Sequence, residues 1–183
     1  MSDSKQNNPW IETAQVLGVS AVLALTIRAF IAQVFYIPSR SMEPTLEVND
    51  RLIVEKVSYY FRSPERAEIV VFRAPEAAIS GCGLPPDSRD AFIKRVVAIP
   101  GDRIEVQGGQ VFVNDEVVEE PFITESPRYR LGPEVVPEDS YLVLGDNRND
   151  SCDGHVWGFL PEEDIIGRAA FRFWPPSQFG SIN

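Results

Sequence analysis

A long apolar run near the N-terminus separates a short polar tail, residues 1–13, from the rest of the chain. Between Ala14 and Tyr36 most residues are Ala, Val, Leu, Ile or Phe. A helix of this length crosses a hydrocarbon layer of roughly 30 Å, and Trp10 and Tyr36 stand where interfacial aromatic residues are expected. The pattern predicts a single transmembrane anchor helix at 14–37, so the expected partner is a lipid bilayer.

Arg28 is unfavourable in such a span, because a cation at its centre costs roughly 2.5–3.5 kcal/mol. It lies nearer the C-terminal end, however, where its side chain can reach the headgroups. A cleaved secretory signal and a buried helix of a soluble protein remain alternatives, although no small-residue cleavage site bounded by a turn follows the run. Pro38 is expected to end the helix, since proline disfavours helical geometry in the residue before it.

After Pro38 the pattern changes to short apolar runs separated by turn residues. Their length and their Val, Ile and Phe content favour strands. The runs lie at 51–57, 68–74, 91–99, 102–106, 110–115, 141–146 and 165–174. Two turns are predicted, a hairpin at Gln107–Gly109 and a second turn at Asn114–Asp115. The segments 75–90 and 119–140, rich in Pro, Ser and Glu, indicate surface loops. The chain is therefore expected to be mainly β, with one β-rich domain at 38–183.

Length, net charge and cysteine spacing exclude several classes of function. The 183 residues suit one domain plus an anchor. The net charge of −10, with basic residues scattered singly, excludes a nucleic-acid partner. Cys82 and Cys152 lack metal-ligand spacing, so no metal site is expected. One disulfide and two free thiols are equally compatible with the sequence.

Two segments carry candidate chemistry. In the first, Ser39 and Ser41 stand between two prolines, where a capped turn is the ordinary explanation. In the second, strand alternation places Lys94 and Arg95 on opposite faces, so one of the two cations must point to the apolar side. Lys94 either extends its amine to water or is buried.

A buried Lys94 would have chemical use. Burial can lower a lysine pKa from about 10.4 to about 5–6, and a neutral amine can take a proton from a serine hydroxyl. Lowering the lysine pKa by four units costs the folded protein roughly 5 kcal/mol. A lysine with a purely structural role would rarely be kept at such a cost, so burial would point to a function.

A third segment, from Gly145 to Gly158, is a tight polar loop that follows a predicted strand. A turn is one explanation and a calcium loop another. Calcium is disfavoured because the bidentate glutamate that closes a calcium loop is missing.

Together, PSRSMEPTL, KRVVAIPGD and GDNRNDSCD resemble in order and spacing the three motifs of bacterial type I signal peptidases, also called leader peptidases. The resemblance extends from the anchor to about Trp174. It implies an irregular antiparallel β-domain that removes signal peptides from exported preproteins, without a cofactor. It also implies that Ser41 is the nucleophile, which forms an acyl-enzyme, and that Lys94 is the general base.

The resemblance assigns supporting roles as well. Ser39 and the backbone amide of Ser41 match the oxyanion hole, and Ser151 matches the serine that holds the lysine amine. Four more loop residues are expected to support this geometry, namely Asp146, Asn147, Arg148 and Asp153.

One departure concerns His155. Many family members carry Ser-Arg where this chain has Gly154-His155, so Asp153 cannot pair with an arginine there. His155 is expected to act as a weaker, pH-sensitive substitute, and the resemblance implies that a histidine at this position belongs to a cyanobacterial or plastid-like member.

Three alternatives remain. His155 could replace Lys94 as the base for Ser41, the chain could be a self-cleaving regulator of the repressor type, or it could be a non-catalytic membrane-tethered scaffold. The expected reaction places the β-domain on the periplasmic or thylakoid-lumen side. In that compartment, a Cys82–Cys152 disulfide bracing the loop beside Ser151 is a testable hypothesis. The sequence gives no indication of an oligomeric state.

Overall fold

The computed structural model describes residues 9–88 and 90–182, and its first element is a long exposed helix. Helix α1 (Pro9–Phe30) has 22 residues and a mean hydropathy of 1.5, and none of its residues is buried. Among the described residues, it is the one helix long and apolar enough to cross a membrane. By length and composition it is therefore a candidate membrane span. Residues 1–8 of the predicted polar tail lie outside the described residues, and residues 9–13, which were also assigned to the tail, belong to the helix.

The predicted C-terminal end of the anchor was wrong. Helix α1 ends at Phe30 rather than at 37, and the next residues form strand β1 (Ala32–Tyr36). Strand β1 pairs antiparallel with β2 (Arg51–Glu55) over five residue pairs. The apolar sequence of 32–36 suits a helix and a strand equally, and backbone pairing with β2 decides the outcome. Pro38 therefore follows a strand instead of ending a helix.

Lys56 connects the end of the helix to the β-domain. Its Nζ atom donates hydrogen bonds to the carbonyl oxygens of Arg28 at 3.0 Å and Ala29 at 3.3 Å. Carbonyl groups at a helix C-terminus lack partners within the helix and carry partial negative charge. The ammonium group satisfies two of them.

The remaining elements form two antiparallel sheets. They are β3 (Ile69–Arg73), α2 (Glu76–Gly81), β4 (Ala91–Ala98), β5 (Arg103–Gln107), β6 (Gln110–Val113), β7 (Glu116–Val117), β8 (Leu131–Val135), β9 (Ser140–Leu144), α3 (Gly154–Trp157), β10 (Leu160–Pro161), β11 (Ile165–Trp174) and β12 (Gly180–Ser181). The larger sheet has the order β1-β2-β11-β3-β4-β9-β10, with β12 beside β11, and the smaller sheet has the order β7-β6-β5-β8. The prediction of a mainly β, antiparallel fold is confirmed.

The predicted turns join the strands of the smaller sheet. Gly108 and Gly109, with φ of 58° and 81°, connect β5 to β6, a left-handed geometry that favours glycine. Asn114 and Asp115, with φ of 55° and 68°, connect β6 to β7. The segments predicted as loops contain α2 and β8, which their composition did not indicate.

Strand β4 lies at the centre of the hydrophobic core. Ile93 packs with the cluster around Met42, Leu46 and Leu52, and Val97 packs with the cluster shared by the two sheets. Burying one such side chain contributes about 1.5–3 kcal/mol. The backbone on either side of Lys94 is therefore held by packing.

Candidate active site

The segment between β1 and β2 positions Ser41. Met42 and Leu46 are both 0% exposed, which fixes the turn that follows the serine. The backbone N–H of Asn147 donates to the carbonyl of Ser41 at 3.1 Å, and its side-chain amide donates to the carbonyl of Arg40 at 3.2 Å. The predicted nucleophile is thus held by its own hydrophobic neighbours and by the loop that follows β9.

Lys94 extends from β4 to the Ser41 hydroxyl. Its Nζ atom lies 2.7 Å from Ser41 Oγ and 2.9 Å from the carbonyl oxygen of Ile93. The lysine is 4% exposed and the serine 7%. Burial lowers the pKa of Lys94 from 10.5 to about 8, although the negative charges of Asp153 and Asp146 act in the opposite direction. This environment gives the amine an appreciable neutral fraction near neutral pH.

Ser39 lies beside the same hydroxyl, with its Oγ atom 3.3 Å from Ser41 Oγ. A hydroxyl in this position can donate to an oxygen that develops negative charge next to the nucleophile. The structure therefore brings together Ser39, Ser41 and Lys94.

Ser151 lies near the backbone of Ser41 but is not hydrogen-bonded to the serine–lysine pair. A Cβ atom on Gly145 would overlap both Ser151 Oγ and the Ser41 carbonyl oxygen, which shows how closely these groups meet around the glycine. Among the described residues, Ser151 Oγ is buried and has no hydrogen-bond partner. The hydrogen bond to Lys94 that the resemblance implies is not formed, and the role of Ser151 stays a prediction.

Asp146 is paired with Arg95. Arg95 Nε donates to Asp146 Oδ1 at 2.8 Å and its terminal nitrogen donates to Oδ2 at 2.7 Å. Thr45 Oγ1 donates to the same carboxylate at 2.5 Å. The alternation of strand side chains required one buried cation, whereas both Lys94 and Arg95 are buried. Arg95 and Thr45 are supporting residues that the sequence did not identify.

Arg148 is also buried and forms a bidentate ion pair. It donates to the two carboxylate oxygens of Glu120 at 2.6 and 2.7 Å, and to the carbonyl of Gly145 at 3.0 Å. Glu120 lies in a segment predicted to be a surface loop, so its part in the site was missed. This pair fixes the position of Gly145 and hence the wall behind Ser41.

His155 contacts Asp153 and not the nucleophile. Asp153 is fully buried. Its Oδ2 atom accepts a hydrogen bond from the Gly145 N–H at 2.8 Å, and its Oδ1 atom lies 2.8 Å from His155 Nδ1. The imidazole ring stacks on Tyr129 with 3.9 Å between ring centres. In the part of the chain that the structure describes, Ser41 Oγ is hydrogen-bonded to Lys94 and Ser39. The geometry therefore favours Lys94 over His155 as the base.

A cleft of about 730 Å³ opens over Ser41 and Lys94. Much of its wall is apolar, including Phe35, Ile37 and Ile93. Cys82 and Cys152 also line it, and the structure joins them in a disulfide across 70 residues of sequence. The bond ties the segment after α2 to the loop that carries Ser151.

Comparison with known proteins identifies the family. The family model described as "Signal peptidase, peptidase S26" matches residues 10–174. The chain belongs to the signal peptidase family, peptidase S26. A signal peptidase is an enzyme, which confirms the expectation of a membrane-associated serine peptidase that cleaves signal peptides. The non-catalytic scaffold receives no support.

Individual signal peptidases refine this relationship. The chain is 51% identical to "Signal peptidase I" of Leptolyngbya laminosa, over 99% of this chain and 88% of that protein. It is 49% identical to "Probable signal peptidase I-2" of Synechocystis, over 98% of this chain and 80% of that protein. It is 47% identical to "Thylakoidal processing peptidase 1, chloroplastic" of Arabidopsis thaliana, over 91% of this chain and 49% of that protein. These matches confirm the predicted cyanobacterial and plastid-like character.

Among solved structures, a signal peptidase I from Enterococcus faecalis matches with a TM-score of 0.47 at 22% identity. The match covers 58% of this chain and 97% of the other.

Proposed function

We propose that this signal peptidase cleaves exported preproteins with Ser41 as the nucleophile and Lys94 as the general base. The observation that carries the proposal is the 2.7 Å separation between Lys94 Nζ and Ser41 Oγ, because a general base must lie within hydrogen-bond reach of the proton it removes. The lowered pKa of Lys94, about 8, supports the same assignment, since only the neutral amine accepts a proton.

The reaction begins when neutral Lys94 takes the proton of the Ser41 hydroxyl and Oγ attacks the scissile carbonyl carbon. The Ser41 backbone N–H and the Ser39 hydroxyl then donate to the negative oxygen, and donors of this kind are commonly worth about 3–4 kcal/mol each. The Lys94 ammonium gives its proton to the leaving amine, and the C–N bond breaks. Water then attacks the acyl carbon while neutral Lys94 takes its proton. The bond between the acyl carbon and Ser41 Oγ breaks, Lys94 returns the proton to Oγ, and the signal peptide leaves with a free carboxyl group.

The neighbouring carboxylates support this role because they are already engaged. Asp146 is bonded to Arg95 and Thr45, and Asp153 is bonded to Gly145 and His155. Neither forms a hydrogen bond with Lys94, whose amine faces the serine hydroxyl. Asp146, Asn147, Arg148 and Asp153 thus act through the backbone and charges around the dyad and do not perform chemistry.

Signal segments are apolar and lie in the bilayer, so an anchored peptidase meets them at high effective concentration. Helix α1 is the proposed anchor, and the β-domain lies on the periplasmic or thylakoid-lumen side, where signal peptides are removed. A protease added from that side of sealed membranes should degrade the β-domain, and protection of the domain would contradict the orientation.

The catalytic assignment is tested with the full-length chain and a model preprotein. Ser41→Ala and Lys94→Ala should each lower kcat/KM by at least about 100-fold, whereas Ser181→Ala, an exposed serine remote from the cleft, should cleave like the parent. Full activity in Lys94→Ala would eliminate Lys94 as the base. Replacing His155 with Ala in parallel tests the rival base directly.

A further inference from the structure

A second cavity, of about 460 Å³, adjoins the catalytic cleft. Arg40 and Asp150 line both spaces, and they immediately precede Ser41 and Ser151 in the chain. The other residues of the second cavity are Glu43, Pro44, Thr124, Glu125, Asn147 and Asn149. A polypeptide lying across Ser41 can therefore pass from one space into the other.

The two spaces differ in polarity. The catalytic cleft has apolar walls that include Phe35, Leu84 and Phe92. The second cavity is lined by two amides, one hydroxyl, one proline, the guanidinium of Arg40 and the carboxylates of Glu43, Glu125 and Asp150. Phe35 belongs to β1, which directly follows α1, so the apolar cleft is the space connected to the proposed membrane anchor.

The walls of the second cavity are fixed relative to the nucleophile. Asn149 Nδ2 donates to Glu125 at 3.2 Å and to the carbonyl of Ser126 at 3.1 Å, and Asn149 Oδ1 accepts from the Arg128 N–H at 2.9 Å. Two residues earlier, Asn147 is bonded to the carbonyls of Arg40 and Ser41. One loop thus holds both the segment 124–128 and the turn that carries Ser41, which pre-organises the cavity.

We propose that the second cavity binds the leaving-group side of the substrate, the first residues of the mature protein, and favours basic over acidic residues there. This rests on the proposed function, which makes Ser41 the point of cleavage and places the apolar signal segment on the acyl side. The apolar segment fits the apolar cleft, so the polar cavity is left for the residues beyond the scissile bond.

The charges at the second cavity explain the preference. Glu43 pairs with Arg40 at 3.0 Å and Glu125 pairs with Arg128 at 2.9 Å, but both pairs are at least partly exposed to solvent. Such pairs contribute little and remain open to a competing cation. Asp150 is exposed at the boundary with the cleft. The carboxylates outnumber the lining guanidinium group, so a substrate carboxylate is repelled and an ammonium group is attracted.

The test uses the full-length peptidase and preproteins that differ only at the second and third mature residues. Lys at these positions should give kcat/KM roughly three- to tenfold above Glu, as expected for partly solvated charge pairs. Glu125→Gln combined with Asp150→Asn should reduce the ratio toward one. Glu138→Gln, which removes a carboxylate from a separate surface cavity, should leave the ratio unchanged.

A cavity-filling variant gives a second readout. Thr124 is exposed, and Thr124→Trp should slow cleavage of a preprotein but not of a methyl ester of the same acyl segment, which has no mature residues. Val135→Trp, at a site on the smaller sheet that is 61% exposed, is the control.

Equal rates for the Lys and Glu preproteins, or equal slowing of both substrates by Thr124→Trp, would overturn the assignment of the cavity. These outcomes leave the dyad intact if Ser41→Ala is inactive. Undiminished cleavage by Ser41→Ala would instead overturn the proposed function, and the cavity assignment with it.

Discussion

Arg95 and Asp146 form a two-point ion pair in the interior, with side chains that are 2% and 0% exposed. Arg95 follows Lys94 in β4, so adjacent residues of one strand send two cations in different directions. The guanidinium neutralises a carboxylate, whereas the amine contacts the Ser41 hydroxyl. The pairing keeps Asp146, whose charge would raise the pKa of Lys94, bonded to another cation.

Breaking this pair should destabilise the protein. Arg95→Met leaves Asp146 as an uncompensated buried charge, so the free energy of unfolding should fall by about 3–5 kcal/mol. Denaturant unfolding of the full chain in detergent measures the change. The double variant Arg95→Met/Asp146→Leu removes both charges and should recover much of the loss. A single variant as stable as the parent would contradict the importance of the pair.

The pH dependence of cleavage should report the protonation of Lys94. The base works when neutral, and burial lowers its pKa to about 8, so kcat/KM should rise with pH through about 8 and level off above it. A pH–rate profile with a model preprotein measures the midpoint. A rise centred near 10.5, the ordinary lysine pKa, would show that the amine is not desolvated as the structure indicates.

Asp153→Asn should move that midpoint to lower pH. The Asp153 charge raises the pKa of Lys94, so its removal should lower the pKa further, while the asparagine oxygen can still accept from Gly145. The comparison is between the pH–rate profiles of Asp153→Asn and of Glu138→Gln, whose lost carboxylate is remote. A midpoint that stays in place or moves upward would argue against electrostatic coupling between Asp153 and Lys94.

Gly145→Ala should impair catalysis by displacing Ser41 and Ser151, without removing any reacting group. The added methyl group would overlap Ser151 Oγ and the Ser41 carbonyl oxygen, and displacement of a reacting group by about 1 Å can cost about 100-fold in rate. We expect kcat to fall at least about tenfold, with a smaller effect on KM. Gly180→Ala is the matched control, since a Cβ atom there meets nothing within 4 Å. Normal kcat in Gly145→Ala would show that this contact is unimportant.

The sequence predicted most strands because their apolar runs are short and bounded by turn residues. The prediction of a helix was wrong at Ala32–Tyr36, because the mostly apolar residues there continue the pattern of the helix. The strand forms there because β2 offers backbone partners, and β2 lies beyond the intervening nucleophile turn. Local periodicity contains no information about such a partner.

In the active site, too, the residues in local motifs were predicted and the residues that depend on distant partners were not. Ser41 and Lys94 were identified because each lies in a distinctive motif, and the structure places them in contact. Glu120 lies in no such motif, and Thr45 lies in the first motif but was given no role there. Their partners, Arg148 and Asp146, are 28 and 101 residues away. Buried ion pairs of this range become visible only when the chain is folded.

Strand β1 gives the peptidase a fixed reach. It leaves the end of α1 after a single residue and is bonded along its length to β2, so five residues at about 3.3 Å each form a rigid spacer of roughly 16 Å. A flexible tether would let Ser41 search for any exposed bond. If α1 lies in the bilayer, we expect this spacer to hold Ser41 near a set height above the membrane, so that the distance between the apolar segment and the scissile bond of a preprotein affects its cleavage.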